Sequence, residues 1–179
     1  MKQNTPEWLE ARKDHLGASD APVVMGVSPW TTIYQLWEEK ARLREPKKKT
    51  KSMDRGIELE PIAREEFIKM TGIFVEPEVL FHAENKFMMA SLDGLSQDKK
   101  YALEIKYPGE KDHAIALKNM IPEHYFPQLQ HQLEVCGLEM IFYFSFNGSS
   151  GKIVEVHRDD AYIKNLIEEE KSFWKCVED

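Results

Sequence analysis

One seven-residue run leaves this chain little freedom. Met140–Phe146 reads Met-Ile-Phe-Tyr-Phe-Ser-Phe, with a single small polar residue among bulky ones. Aromatic and β-branched side chains suit a pleated, covered surface, so the run predicts a buried strand. Asn147-Gly148-Ser149-Ser150-Gly151 has turn chemistry and leads into a partner strand, Ile153–His157. Upstream, two β-like stretches at about Phe74–Phe81 and Lys86–Ser91 precede a third, Tyr101–Tyr107.

Helical patterns surround these strands. Thr5-Pro6-Glu7 is a helix start, with a cap, a proline in the first turn and an acid. Trp8, Leu9 and Arg12 follow, and Gly17 is expected to end that helix. Ser19 is expected to cap a short second helix, Asp20 to about Met25. Ile33, Leu36, Trp37 and Lys40 repeat at helical spacing in a third, about Thr32 to Leu43. A fourth covers Ser52 to Met70 with Ile57, Ile62, Phe67 and Met70 as its apolar positions and Gly72 as its stop. Pro61 predicts a kink or restart within it. One or two helices fill Gly109 to Gly137, and a last one, Asp160 to Val177, carries Ile163, Leu166, Ile167 and Trp174 on one face. The order is helix, three strands, helix, strand pair, helix, which makes an α/β fold. At 179 residues it is expected to be a single domain, with a helical part over about 1–50 and a core over about 52–179.

The chemistry-bearing segments are Ser91-Leu92-Asp93-Gly94-Leu95 and Leu103-Glu104-Ile105-Lys106. On a strand, Glu104 and Lys106 share one face and Ile105 takes the other. A hairpin would set Asp93 beside Glu104. Two adjacent carboxylates repel unless a cation sits between them, and oxygen ligands of this kind suit Mg²⁺ or Mn²⁺. The carbonyl of Ile105 is a candidate third ligand, Glu60 a candidate accessory acid, and Lys106 a candidate to hold or deprotonate the attacking water. The same Glu-x-Lys pattern also fits a solvent-facing ion pair, and Glu60 lies among Glu58, Glu65 and Glu66 on what also reads as an ordinary acidic helix.

Arg12 near one helix end and Ser19 at the next helix start suit a bound phosphate, with simple capping and a surface ion pair as the plainer alternatives. Further on, Tyr125, Gln128 and Gln132 share a helix face, and Gln128 suits a water or a phosphate oxygen as well as an ordinary polar surface. His124 and His131 are read as non-metal, because helical zinc pairs prefer i, i+4.

The net charge of −7 disfavours a nucleic-acid partner taken alone. A bound divalent ion reverses the local sign of an acidic site, however, and basic residues do cluster in Lys47-Lys48-Lys49-Thr50-Lys51 near Arg55. That run also reads as a solvated loop. Cys136 and Cys176 match no metal spacing and cannot supply four cluster ligands. A reduced, cytoplasmic protein with no secretory signal or membrane helix is expected.

Taken in order, Trp8…Arg12…Ala18-Ser19, Gly56…Glu60-Pro61-Ile62-Ala63, Ser91-Leu92-Asp93-Gly94-Leu95, Leu103-Glu104-Ile105-Lys106 with Pro108, and Tyr125-Phe126-Pro127-Gln128-Leu129-Gln130 resemble the phage lambda-type exonuclease or YqaJ-like viral recombinase family, of the PD-(D/E)XK nuclease superfamily. The resemblance implies a restriction-endonuclease-like core, a central mixed β-sheet flanked by helices. It implies a Mg²⁺-dependent 5′→3′ exonuclease that digests one strand of double-stranded DNA from an end and leaves a 3′ single strand. Asp93 and Glu104 would be metal ligands, Lys106 the catalytic lysine, Glu60 an accessory acid and Gln128 a site glutamine. Arg12, Ser19 and Ser91 would bind the terminal 5′ phosphate, with Tyr125 as a DNA contact. Such proteins often form ring-shaped homotrimers and work beside a single-strand annealing protein. The pattern departs from the family between Lys106 and Gln128, where Lys111 and Lys118 stand and no arginine does. An endonuclease on the same core and a non-catalytic DNA-binding scaffold are the alternatives.

Overall fold

The computed structural model describes residues 1–179. Its centre is a mixed five-stranded sheet in the order β1-β2-β3-β4-β5. The strands are β1 (Glu76–Phe81), β2 (Met89–Leu95), β3 (Ala102–Lys106), β4 (Met140–Phe146) and β5 (Gly151–His157). All neighbours are antiparallel except β3 and β4, which run parallel. A parallel pair needs a crossover, and here it is made by α5 (Glu110–Leu117) and α6 (Phe126–Cys136). The expected α/β fold with a helix-flanked mixed sheet is therefore present.

The aromatic run is β4, and its alternation explains its composition. Ile141 and Tyr143 join Leu129 and Leu133 of α6 on one side, while Phe142, Phe144 and Phe146 join Leu59, Ala63 and Phe67 on the other. The latter three belong to α4 (Lys51–Thr71). A strand covered on both faces has no polar side to offer, so only Ser145 breaks the run. Ser145 is itself buried and hydrogen-bonded to His113 of α5 at 2.7 Å.

Around the sheet lie α1 (Pro6–Lys13), α2 (Ala21–Val24), α3 (Ile33–Lys40) and α7 (Asp160–Glu178). Leu16, Val23, Val24, Leu36 and Phe173 form a smaller core between these helices. The α1–α2 connection is tied to the sheet by Leu16, whose N–H donates to Phe87 and whose carbonyl accepts from Met89.

Several expectations change. The first helix ends at Lys13 with Asp14 as its cap, short of Gly17. Ser19 does not cap a helix: Gly17 is the N-cap of a 3₁₀ turn, Ala18–Asp20, and Ser19 lies inside it. α4 runs unbroken through Pro61, which is exposed at its surface. Its buried stripe is Leu59, Ala63 and Phe67, at i, i+4 and i+8, whereas Ile57, Ile62 and Met70 are exposed. Ile33 is likewise exposed, and α3 buries Leu36 and Lys40 instead. On α7 the buried residues are Ile163, Leu166, Glu170 and Phe173. Gly72 does end α4, in the left-handed conformation (φ 72°) that a Cβ disfavours.

β2 begins and ends later than expected and contains an irregularity. Glu78 faces Leu92 but Glu76 faces Leu95, so β2 carries one extra residue between those points. Such a bulge bends a strand and re-aims its side chains. Asp93 and Gly94 occupy it. A Cβ on Gly94 would stand 2.6 Å from Val75 Cγ2 and 3.1 Å from Leu103 Cβ. Gly94→Ala is therefore expected to lower the unfolding free energy by about 1–3 kcal/mol through overpacking, measured by urea denaturation.

Candidate active site

The β2–β3 ladder is short, with only Gly94 facing Leu103 and Leu95 facing Ala102. Beyond Leu103 the strands part. On β3, the Ile105 N–H donates to the Asp93 side chain, at 2.7 Å from Oδ2. The bulge and the fork together bring the Asp93 carboxylate to β3, beside Glu104.

Glu104 is 4% exposed, so the solvent-facing ion pair is excluded. Its face is covered by α6, and both of its oxygens are held there. Gln128 Nε2 donates to Oε1 at 3.0 Å, and Gln132 Nε2 donates to Oε2 at 2.7 Å. Gln128 is buried too, so it is no surface glutamine, and the group that it holds is a carboxylate. Lys106 Nζ lies 3.3 Å from Glu104 Oε1 and 4.8 Å from the centre of the Tyr125 ring. Glu104 and Lys106 thus share a face as expected, while Ile105 packs on the opposite side with the α4 core.

Burial pushes the Asp93 carboxyl well above its ordinary range, and the negative charges of Glu104 and Glu60 push it further. Lys106 shows the opposite balance. Burial pulls its pKa down, but Glu104, Tyr125 and Asp93 outweigh this and hold the side chain as an ammonium. Glu60 and Arg64 reach the site from α4. Arg64 Nε donates to the Asp93 carbonyl at 2.8 Å, and its Nη2 donates to Glu60 Oε2 at 2.5 Å. Sequence reasoning missed Arg64. Its position four residues after Glu60 was the available signal.

The N-terminal residues form an adjoining cluster. Arg12 Nη2 donates to Ser19 Oγ at 3.2 Å, and the guanidinium stands 4.9 Å from the centre of the Trp8 ring. Trp8 Nε1 donates to Ser91 Oγ at 2.8 Å. Ser91 is two residues before Asp93, about 6–7 Å along an extended strand. Arg12, Ser19 and Ser91 are thus gathered around Trp8 beside the carboxylates, although Ser19 has none of the capping role expected of it. A buried ion pair fixes this segment. Lys40 Nζ lies 2.9 Å from Asp20 Oδ2 and also donates to the carbonyls of Arg12 and His15. Asp20 Oδ2 accepts the Gly17 N–H as well. Burial opposes ionisation of Asp20, but Lys40, Arg12 and the Gly17 N–H prevail and lower its pKa. Lys111 and Lys118, the bases between Lys106 and Gln128, are exposed.

His131 sits between Gln128 and Gln132 in sequence and is fully buried. Nδ1 is 2.7 Å from Glu170 Oε1 and Nε2 is 2.9 Å from the Met89 carbonyl. A carboxylate and a backbone carbonyl face the two ring nitrogens, an arrangement that favours the protonated ring. It pins the glutamine helix to β2, four residues before Asp93. His124 stands elsewhere, 3.4 Å from Asp112 and against the Tyr125 ring.

Comparison with known proteins places this arrangement. The alkaline exonuclease LHK-Exo of Laribacter hongkongensis superposes with a TM-score of 0.83 at 29% identity, covering 97% of this chain and 93% of that one. LHK-Exo in complex with dAMP matches with a TM-score of 0.82 at 27% identity, over 97% and 93% of the two chains. A phage related exonuclease from Haemophilus somnus 129PT shares the fold at 14% identity, with a TM-score of 0.69 over 94% of this chain and 96% of that one. The fold is thus that of alkaline-exonuclease structures. The YqaJ-like viral recombinase domain model matches residues 7–139, and the chain belongs to that family. The uncharacterized protein YqaJ of Bacillus subtilis (strain 168) is 32% identical over 174 residues, 94% of this chain and 54% of that protein. The chain therefore spans about half the length of the curated relative it matches. No helix is long and apolar enough to cross a membrane.

The His131–Glu170 pair yields a pH prediction. Burial lowers the His131 pKa, but Glu170 and the Met89 carbonyl outweigh it, so the folded value lies above the ordinary 6.5. Folding then favours the protonated ring. The resulting stabilisation is fully present below the unfolded value and is lost as pH rises through the folded one. The stability gap between wild type and His131→Gln, from urea unfolding, is expected to narrow as pH rises above about 6.5.

Proposed function

We propose that this chain is a divalent-metal-dependent exonuclease that hydrolyses double-stranded DNA from an end in the 5′→3′ direction and leaves a 3′ single strand for phage-type recombination. The observation that carries this reading is the meeting of Asp93, Glu104 and Lys106 at the β2–β3 fork, with Glu60 adjoining, in a chain whose relatives include an alkaline exonuclease. The binding of dAMP by LHK-Exo supports it, since a deoxynucleoside monophosphate is what such a reaction releases.

The donor set fits a hard cation. Burial first, and then the charges of Glu104 and Glu60, drive Asp93 towards its protonated form, and a divalent ion would offset both in place of a proton. Asp93, Glu104 and the Ile105 carbonyl would hold Mg²⁺, with Mn²⁺ also suited and Glu60 as an accessory acid. When bound, the ion polarises the scissile phosphate and lowers the pKa of a ligated water.

The protein's own groups do the rest. Gln128 and Gln132 fix both oxygens of Glu104, so its orientation is set before substrate arrives. Lys106 supplies positive charge at the scissile phosphate. It stands 3.3 Å from Glu104 Oε1, where it can hold or help deprotonate the attacking water. Arg12, Ser19 and Ser91 receive the terminal 5′ phosphate, which fixes the end of the strand and makes the enzyme an exonuclease. Tyr125, packed on Lys106, contacts the DNA. By the family reading, a homotrimer and a single-strand annealing protein are its expected partners.

Linear duplex with a 5′ phosphate is the substrate to test first. Mg²⁺-dependent release of mononucleotides is expected from wild type, with a loss of at least about 100-fold in Lys106→Ala. Equal cutting of closed circles would replace the proposal with an endonuclease, and no cutting with any divalent metal would leave a scaffold. Arg12→Ala is expected to retain hydrolysis but lose the preference for 5′-phosphorylated over 5′-hydroxyl ends, read from paired initial rates. An unchanged preference would remove the phosphate site from the mechanism.

A further inference from the structure

Trp30 is 63% exposed, an unusual setting for the largest apolar side chain. Its backbone is nevertheless fixed. The N–H groups of Trp30 and Thr31 both donate to Ser28 Oγ at 3.2 Å, and the Trp30 carbonyl accepts from Lys47 Nζ at 2.6 Å. The indole is therefore presented to solvent from an anchored turn.

It also heads a row of rings that ends at the candidate catalytic lysine. The Trp30 ring stands edge-on to His124 at 5.1 Å and tilted towards Tyr125 at 6.3 Å. His124 packs on Tyr125 at 4.2 Å, and Tyr125 lies under Lys106 Nζ at 4.8 Å. An aromatic path thus runs from the surface to the point where the phosphate would be attacked.

The basic run is attached to the same turn. Lys47 bonds both the Trp30 carbonyl and Thr31 Oγ1, which anchors the first lysine of the run there. Lys48, Lys49 and Lys51 follow, all exposed. None of them has an acid within ion-pair distance. In a chain of net charge −7 this is the one concentration of free positive charge, and it adjoins an exposed indole. Sites for single-stranded nucleic acid combine these two parts, an aromatic face for bases and cations along the backbone.

We propose that Trp30 is a nucleobase-stacking platform for the unpaired nucleotides next to the one being cleaved, and that Lys48, Lys49 and Lys51 neutralise the phosphates of that segment. The subsite rests on the nuclease reading of the fork and extends it. It gives the strand a sequence-tolerant hold outside the metal centre, because every base offers a π-face. It also gives a use to Lys48, Lys49 and Lys51, which pair with no acid in the structure.

The test uses the full chain in EDTA, so that DNA is bound and not cut. The probe is a 5′-phosphorylated duplex with 2-aminopurine at the second nucleotide from the 5′ end, and a control probe carries it in the middle of the duplex. Wild type is expected to change the emission of the end-labelled probe and leave the control unchanged. Trp30→Ala is expected to abolish that change and weaken binding on the order of 10- to 100-fold, with its thermal unfolding midpoint unmoved because the side chain is exposed. Trp30→Phe restores most of both. A Lys48→Ala/Lys49→Ala double variant keeps the emission change at saturation but flattens the salt dependence of binding by about 0.7 per lysine. If Trp30→Ala binds the probe and changes its emission as wild type does, the platform is overturned while the nuclease reading stands. If wild type leaves the emission of the end-labelled probe unchanged, the platform is likewise overturned, and the nuclease reading is judged by Mg²⁺-dependent digestion alone.

Discussion

A nearly solvent-free carboxylate, Glu104, is held from above by two amides and from beside by an ammonium. Leaving such a group without partners costs several kcal/mol, so its neighbours cannot be arranged arbitrarily. α6 must cross β3 at one height and one rotation for Gln128 and Gln132 to reach both oxygens. Once that is fixed, His131 between them is buried against β2, and its two ring nitrogens meet Glu170 from α7 and the Met89 carbonyl. Glu104, Gln128 and Gln132 are thereby tied through α6 to His131 and Glu170, so the polar groups at the centre of this fold depend on one another.

The same set explains how a chain with an ordinary core positions chemistry. The two aliphatic and aromatic cores clamp the sheet from both sides but carry no directional information. Direction comes from the bulge at Asp93-Gly94, from the Ile105 N–H bonding the Asp93 side chain, and from Arg64 bonding the Asp93 carbonyl. The Asp20–Lys40 pair acts likewise at the N-terminal cluster. Its ammonium holds the carbonyls of Arg12 and His15, so the Arg12 side chain starts from a fixed point. Buried ion pairs are a weak route to stability but an effective way to specify a single arrangement, and here both lie beside candidate functional residues.

Much of this was legible in the residues. The aromatic alternation of Met140–Phe146 fixed a covered strand, and Glu104-Ile105-Lys106 fixed which side chains share a face, because strand periodicity is a local property. Gly72 ended α4 as its backbone preference requires. The failures were those of local rules overruled by distant contacts. Ser19 looked like a cap, but the Asp20 carboxylate takes the Gly17 N–H and leaves the hydroxyl for Arg12. Pro61 looked like a break, but on the exposed side of a helix pinned by Leu59, Ala63 and Phe67 the loss of one hydrogen bond does not interrupt it.

The sequence by itself determined the strand that must be buried, the spacing that puts a carboxylate and a lysine on one face, and the order of motifs that marks the family. Each depends only on neighbours along the chain. Only the tertiary structure decided that the Glu104 face is buried under α6, that Arg64 and His131 belong to the same polar network, and that an exposed tryptophan and a lysine run share an anchored turn next to Tyr125. These are pairings between residues far apart in the chain. They follow from which polar groups must find partners once water has been excluded, a condition that exists only after the helices and sheet have closed on one another.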